Sequence, residues 1–198
     1  MLQPRDAATA VVKGAVLRGL ETTASHATGS STSITRLSRS HYGTPMSCPF
    51  IPHRHSELDA YVDPVTQQKM ARNQIAWFIR KGEPLSDSRR ITRNFNRTFR
   101  KHKGPWEDWI VMCSSDVPPE RMAGDVKRLC IVETDLGGVK KRFERQWDWG
   151  NFRRYWIARY SLEMQIGGGG MEFECVFAGK RYGSVKVDFE VNPAEMEG

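Results

Sequence analysis

The C-terminal half of the chain alternates apolar and polar residues with a period of two, the repeat that predicts β-strands with one buried face. The alternation runs through residues 154–166, 171–177 and 182–191, and glycine-containing turns separate the three segments. One face of the second segment carries only apolar side chains, at Met171, Phe173, Cys175 and Phe177. These patterns predict an antiparallel β-meander with an apolar inner face.

Shorter apolar runs predict four further strands upstream of the meander, over residues 74–81, 90–101, 106–114 and 126–134. The apolar spacing in 90–101 fits a helix as well as a strand, and its threonine and phenylalanine content favours the strand. We therefore predict a mainly β fold, an antiparallel β-sandwich-like or meander domain.

The region before these strands is less regular. Residues 34–42 alternate only weakly, so they predict a poor strand. One glycine and four prolines interrupt residues 43–66. Because proline cannot donate to a β-ladder, we expect an irregular excursion there.

The N-terminal segment changes period and predicts one α-helix over residues 7–20. Asp6 is a suitable N-cap, since its carboxylate can accept from backbone N–H groups and complements the helix dipole. One stripe of this helix consists of small residues, which suits close packing against another element. That stripe is formed by Ala8, Val12, Ala15 and Gly19.

These patterns divide the chain into four parts. Residues 1–21 hold the terminal helix, and residues 22–33 are small and polar, which predicts a flexible linker. Residues 34–191 form the β-rich domain, and residues 192–198 predict a disordered tail.

The composition is that of a folded, basic protein: 198 residues, 10% aromatic, with a net charge of +7. The positive charge favours anionic partners, such as nucleic acid or acidic proteins. The four cysteines form no CxxC pair, which predicts reduced thiols and a cytoplasmic location. No stretch approaches the roughly 20 apolar residues of a membrane helix, so we expect no membrane partner.

The sharpest charge feature is the segment 89–103, which contains many arginines and lysines and no acidic residue. The pattern favours an edge strand protected by its charges, and it also fits a surface for a protein partner or, less well, phenylalanines that stack on bases while the cations neutralise phosphates. The candidate anion-binding residues are Arg93, Arg97, Arg100 and Lys101.

Aromatic residues mix with arginines in the segment 147–156. Because tryptophan, tyrosine and arginine are favoured at binding hot spots, this segment could form a ledge for a peptide, but such a run is more often a hairpin that packs its rings into the core. The candidate peptide-binding residues are Trp77, Phe78, Trp147, Trp149 and Trp156.

Other motifs give little support for catalysis or metal binding. His53-Arg-His55 lacks further clustered ligands, so we expect no metal there. The carboxylates of Glu107 and Asp108 read as exposed strand ends rather than an acid/base pair. The glycines of 167–170 do not precede a helix with lysine and serine or threonine, so they form no P-loop. We expect no enzyme activity.

Four segments in order resemble the 70-kDa heat-shock chaperone superfamily, and within it the divergent heat-shock-70-like proteins of fungi. They are Ala10-Val-Val-Lys-Gly-Ala15, Arg36-Leu-Ser-Arg-Ser-His-Tyr-Gly43, residues 71–82 and residues 179–189. The first is similar to the last helix of the family's actin-like ATPase domain.

The resemblance implies that the chain is the C-terminal portion of such a protein. The helix of 1–21 would then belong to an otherwise missing ATPase domain, and ATP and Mg²⁺ would be cofactors of a full-length parent, with no cofactor in this chain. The implied function is a non-catalytic, chaperone-like module for protein or peptide clients in the cytoplasm. The alternative is a basic nucleic-acid-binding module that uses segment 89–103.

Overall fold

The computed structural model describes residues 13, 16, 36–86, 89–101, 105–136, 138–139, 143–148, 152–167 and 170–188. Lys13 and Val16 are helical, but the rest of the helix predicted over 7–20 lies outside the described residues, so the structure does not support that helix. The predicted linker (22–33) and tail (192–198) also lie outside them.

The described residues from 36 to 188 form twelve β-strands. In chain order these are β1 (Arg36–Leu37), β2 (His41–Pro49), β3 (Ala60–Val62), β4 (Lys69–Ile79), β5 (Pro84–Leu85), β6 (Arg90–Phe99), β7 (Trp106–Cys113), β8 (Lys127–Thr134), β9 (Glu144–Asp148), β10 (Arg153–Ile166), β11 (Gly170–Phe177) and β12 (Lys180–Asp188). One turn of 3-10 helix, Glu57–Asp59, precedes β3. The predicted mainly β fold is confirmed.

The strands form two five-stranded antiparallel sheets and one short ladder between β1 and β5. The first sheet has the order β3-β4-β2-β7-β8. The second has the order β12-β11-β10-β6, and β9 pairs with the beginning of β10. Strand β10 is the centre of the second sheet, because β6 follows one of its edges while β9 and then β11 follow the other.

The two sheets pack their apolar faces against each other. Phe78 of β4 meets Phe173 of β11 with ring centroids 6.0 Å apart, and Trp106 of β7 lies 6.1 Å from Tyr160 of β10. The apolar phase of β10 is buried throughout, as its alternation predicts, at Ala158, Tyr160, Leu162, Met164 and Ile166.

The expectation of an irregular excursion over residues 43–66 is wrong in its first part. Strand β2 continues through Pro45 to Pro49, paired with β4 on one side. On its other side β2 pairs with β7 only over His41–Gly43. Beyond that point, prolines on β2 interrupt no ladder to β7, which is the setting in which strands tolerate them.

Candidate ligand-binding cleft between the sheets

An open cleft of about 770 Å³ lies between the second half of β2 and the second half of β6. We call it the inter-sheet cleft. Its volume falls within the range of roughly 300–1,000 Å³ that is usual for ligand sites. It begins where β2 and β7 part, after Gly43 and Val111.

Strand edges, rather than strand faces, form the two long walls of this cleft. Six consecutive residues of β2, 44–49, and five consecutive residues of β6, 94–98, line it. Successive side chains of a strand point to opposite faces. A cavity that contacts every residue in succession therefore lies along the backbone edge of the strand.

Both edges lack a strand partner among the described residues. Strand β6 pairs with β10 alone, over Arg90–Phe99. The β7-facing edge of β2 has no ladder partner beyond Gly43. The cleft is therefore bordered by two rows of backbone N–H and C=O groups that a strand ladder does not occupy.

The floor of the cleft is a polar triad in which Asp108 and Tyr160 are buried and Arg97 is half-buried. The carboxylate Oδ1 of Asp108 accepts hydrogen bonds from Arg97 Nη2 at 2.8 Å and from the Tyr160 hydroxyl at 2.9 Å. Asp108 is only 8% exposed, and its Oδ2 has no hydrogen-bond partner among the described residues. The three side chains come from β6, β7 and β10, which belong to both sheets. The triad therefore links the two sheets near the point where β2 and β7 separate.

The electrostatics of the triad follow from burial. Loss of hydration raises the pKa of Asp108 above the usual range of a carboxyl, and the nearby Arg97 and the Tyr160 hydrogen bond only partly oppose this. Burial and the adjacent Asp108 charge also raise the pKa of Tyr160. The tyrosine therefore remains a hydroxyl donor at neutral pH.

One end of the cleft is bounded by the turn between β3 and β4. Asp63 shapes this turn, because its Oδ1 accepts from the backbone N–H groups of Val65 and Thr66. Arg100 Nη2 donates to the Pro64 carbonyl at 2.9 Å, and the Thr98 hydroxyl lies 3.5 Å from Asp63 Oδ2. These contacts hold the turn against the end of β6.

The predicted anion-binding residues share one strand and its end but not one ligand site. Arg93 donates from Nε and Nη2 to the Trp77 carbonyl, and Arg100 donates to the Pro64 carbonyl. Arg97 lines the inter-sheet cleft, and Lys101 is exposed. Of the four, only Arg97 lies in the cleft wall.

The four predicted peptide-binding residues that the structure describes do not form one site. Trp77 lines a second cavity of about 570 Å³, which we call the outer groove, with Met46, Ile51 and Val117 among its other residues. Its indole Nε1 donates to the Pro119 carbonyl at 3.0 Å. Phe78 is 3% exposed and packs in the core, so it offers no surface to a ligand in this structure.

The remaining tryptophans lie on the β9–β10 hairpin. Trp147 is 37% exposed, with the Arg154 guanidinium 5.4 Å from its ring centroid, and both line a shallow pocket. Trp156 is half-buried and pairs with both Phe99 and Arg145. Trp149 lies outside the described residues. Strands β9 and β10 pair as the hairpin interpretation of segment 147–156 requires, but Trp147 and Phe152 are exposed rather than packed into the core.

The histidine pair is divided between surface and interior. His53 is exposed, whereas His55 is buried and its Nδ1 accepts from the Ile51 backbone N–H at 3.0 Å. Its Nε2 then carries the proton of the neutral ring and faces Cys48 Sγ at 3.6 Å. Among the described residues, no three His, Cys, Asp or Glu side chains are grouped as metal ligands would be.

Of the three side chains at the cleft floor, the sequence predicts only Arg97 as a site residue. The interpretation of Glu107 and Asp108 as exposed strand ends is wrong for Asp108, which lies in the buried phase of β7 between Trp106 and Ile110. An acidic residue in an otherwise apolar phase was the available signal. The alternating Asn94 and Asn96 of β6 are exposed and line the cleft.

No helix within the described part of the chain has the length and apolar character needed to cross a bilayer.

The fold and cleft define a class: an antiparallel two-sheet β domain with an open, polar cleft between strand edges. The chain belongs to the DUF8568 family, described as a domain of unknown function, whose model matches residues 36–189. That match covers the whole β domain. No curated protein and no solved structure matches the chain.

Proposed function

We propose that this domain binds an extended polypeptide segment in the inter-sheet cleft by adding it as a strand to the edge of β6. The observation that carries the proposal is the pair of strand edges that face the same cleft without a ladder partner among the described residues. Strand addition is a common mode of peptide recognition, in which main-chain hydrogen bonds supply affinity and neighbouring side chains supply selectivity.

Strand β6 is the better of the two edges for this purpose. Strand β2 carries Pro45 and Pro49 along the cleft, and proline has no backbone N–H to donate. Strand β6 contains no proline between Arg90 and Phe99. The bound segment would therefore pair with β6 and pack its other edge toward β2.

The side chains along β6 also suit an extended chain. Asn94, Asn96 and Thr98 alternate on one face and all line the cleft. Residues two apart in a strand are separated by roughly 6.6 Å, the same repeat as in an extended ligand. Each asparagine amide can donate to and accept from a ligand backbone, so this row supports recognition that depends little on ligand sequence.

We also propose that the domain serves as the client-binding part of a heat-shock-70-like, chaperone-like protein in the cytoplasm. Support comes from the ordered sequence resemblance, of which residues 36–43, 71–82 and 179–188 fall in the described β domain. The test is whether the domain suppresses aggregation of an unfolded client, such as reduced lactalbumin. A full chain that leaves the aggregation rate unchanged at a tenfold excess over client would contradict it.

The proposed strand addition is tested by titrating the isotopically labelled full chain with an unstructured nonapeptide of alternating valine and serine. We expect amide shifts and new hydrogen-exchange protection along β6. The double change N94A/N96A should weaken binding about tenfold, from the loss of roughly two hydrogen bonds. The matched control is S184A/K186A on β12, which should bind as the unaltered chain does. Shifts confined to the outer groove would refute strand addition to β6.

The nucleic-acid alternative for segment 89–103 makes a different prediction. Phosphate contacts weaken steeply as salt rises, whereas a neutral peptide held by main-chain hydrogen bonds should be almost indifferent to salt. Binding of a single-stranded oligonucleotide that falls steeply between 50 and 200 mM salt, roughly the range over which such contacts are lost, would favour that alternative.

A further inference from the structure

We propose that the inter-sheet cleft selects segments that present a carboxylate to Arg97, an inference that rests on the proposed peptide binding. Three features of the described residues lead to it: the unused donors of Arg97, the rigidity with which that side chain is held, and the balance of charge around the cleft.

Several N–H groups of the Arg97 guanidinium make no hydrogen bond within the described residues. A guanidinium carries five N–H groups in a fixed fork. Among the described residues, Arg97 uses only Nη2, which donates to Asp108 and lies 3.4 Å from the Tyr160 hydroxyl. Its Nε and Nη1 make no hydrogen bond there, and the side chain is 33% exposed where it lines the cleft. These donors are available to a ligand.

The guanidinium is also held in place before any ligand arrives. Asp108 anchors one side, and the guanidinium carbon lies 5.0 Å from the Trp106 ring centroid and 5.8 Å from that of Tyr160. A fixed guanidinium loses little freedom when it binds, and each of its free N–H groups can give a charge-assisted hydrogen bond to a carboxylate. Asp108 thus acts as a positioning residue for Arg97.

The charged side chains that line the cleft in the described structure are balanced in number but not in pairing. Two are acidic, Asp63 and Asp108, and two are basic, Arg72 and Arg97. Asp63 already accepts from two backbone N–H groups and faces the Thr98 hydroxyl, and Asp108 is paired with Arg97. Arg72 is exposed in the cleft wall and has no carboxylate partner among the described residues. An acidic ligand therefore meets one cation without a carboxylate partner, beside the free N–H groups of Arg97.

The alternation of side chains along β6 determines which residues of a bound strand would lie beside Arg97. Arg97 shares its face with Phe95, which packs against Tyr160 with ring centroids 5.9 Å apart. A strand added to β6 places alternate side chains over that face. The acidic residue should then have an apolar residue two positions away, opposite Phe95, while the intervening side chains lie over the row of Asn94 and Asn96.

Two nonapeptides of alternating valine and serine test the inference, one with a central glutamate and one with a central glutamine. Fluorescence anisotropy with the full chain should show the glutamate peptide bound about tenfold more tightly, as one charge-assisted hydrogen bond supplies roughly that factor. The variant Arg97→Lys should lose the preference, because lysine does not present the guanidinium N–H groups that face the cleft. The control Arg90→Lys lies on the same strand outside the cleft and should keep the preference.

Equal binding of the two peptides, or a preference that persists in Arg97→Lys, would overturn the inference while strand addition stands. Absence of binding by either peptide would overturn the proposed function itself. Displacement of the glutamate peptide by an equal concentration of a nine-nucleotide DNA strand would show that the cleft binds phosphate groups. That result would also overturn the inference of carboxylate selection. A thermal melt of each variant establishes that the fold is intact before binding is compared.

Discussion

Asp108 occupies a position where the alternation of β7 calls for an apolar side chain. Its Oδ1 accepts two hydrogen bonds, and its Oδ2 accepts none among the described residues. Such an incompletely paired buried carboxylate destabilises the folded state, because hydration lost on burial is only partly replaced. We interpret this cost as the consequence of keeping a fixed guanidinium at the floor of the cleft.

The variant Asp108→Asn should change how stability depends on pH. Burial raises the folded-state pKa of Asp108, while the unfolded value stays near about 3.9. At a pH between the unfolded and the folded pKa, Asp108 is protonated in the folded state and ionised in the unfolded state. Its ionised form therefore destabilises the folded state fully above the folded pKa, and this destabilisation decreases as the pH falls. The groups that face it are Arg97, Tyr160 and Cys175.

The free energy of unfolding of the unaltered chain, minus that of Asp108→Asn, should therefore rise as the pH is lowered from 7 toward 4. Urea unfolding at a series of pH values measures this difference. A difference that stays constant, or that falls with decreasing pH, would show that Asp108 is not held as a desolvated carboxylate.

Strands β12 and β8 approach each other closely at Gly183. A Cβ built on Gly183 would collide with the backbone carbonyl oxygen of Glu133 and come within 3.0 Å of the Thr134 hydroxyl oxygen. Strand β11 opposite Gly183 also shifts register between Cys175 and Val176. Contact between the sheets at this corner therefore depends on the missing side chain.

The change Gly183→Ala should destabilise the protein by about 2 kcal/mol, the usual size of overpacking in a closed site. The collision is with backbone rather than a flexible side chain, so β12 itself must move. Denaturant unfolding measures the loss. The matched change Gly138→Ala, where a Cβ would meet open space, should leave the midpoint nearly unchanged. Equal effects of the two changes would contradict the close approach.

At the scale of the whole molecule, the two sheets enclose one core but part on the side of the cleft. The four free cysteines differ in how deeply they are buried in this arrangement. Cys48 is half-exposed on the open side, while Cys113, Cys130 and Cys175 are buried. Burial raises the pKa of the Cys130 thiol to about 12 and that of Cys175 to about 11, so neither forms a reactive thiolate at neutral pH.

Thiol labelling should therefore report separation of the sheets. We expect an aromatic disulfide reagent at pH 8 to modify Cys48 first, and the other three thiols at the rate of global unfolding. Mass spectrometry with peptide mapping counts the labels over time, and labelling in strong denaturant provides the reference for four accessible thiols. Rapid labelling of Cys175 without denaturant would show that the sheets open far more readily than their packing implies.

The strands of this protein could be predicted because their signal is local. In β10 and β11 the burial of every second residue is visible in the chain as alternation. In β7 the alternation is lost at the register shift between Ile110 and Val111, where two successive residues are buried. The path of β2 through two prolines could not be predicted in the same way. Whether proline is tolerated depends on which edge has a partner, and pairing joins residues distant in sequence.

The cleft is less predictable from the sequence than the strands are, because tertiary structure forms it. The chain already indicated a basic β6, and Arg97 was among the candidates drawn from it. Only the packing of β6, β7 and β10 shows that Arg97 meets Asp108 and Tyr160, and only the separation of β2 from β7 opens a cleft beside them. Alternation along a chain reports which face of a strand is buried; which strand edge is left without a neighbour is decided when the sheets assemble.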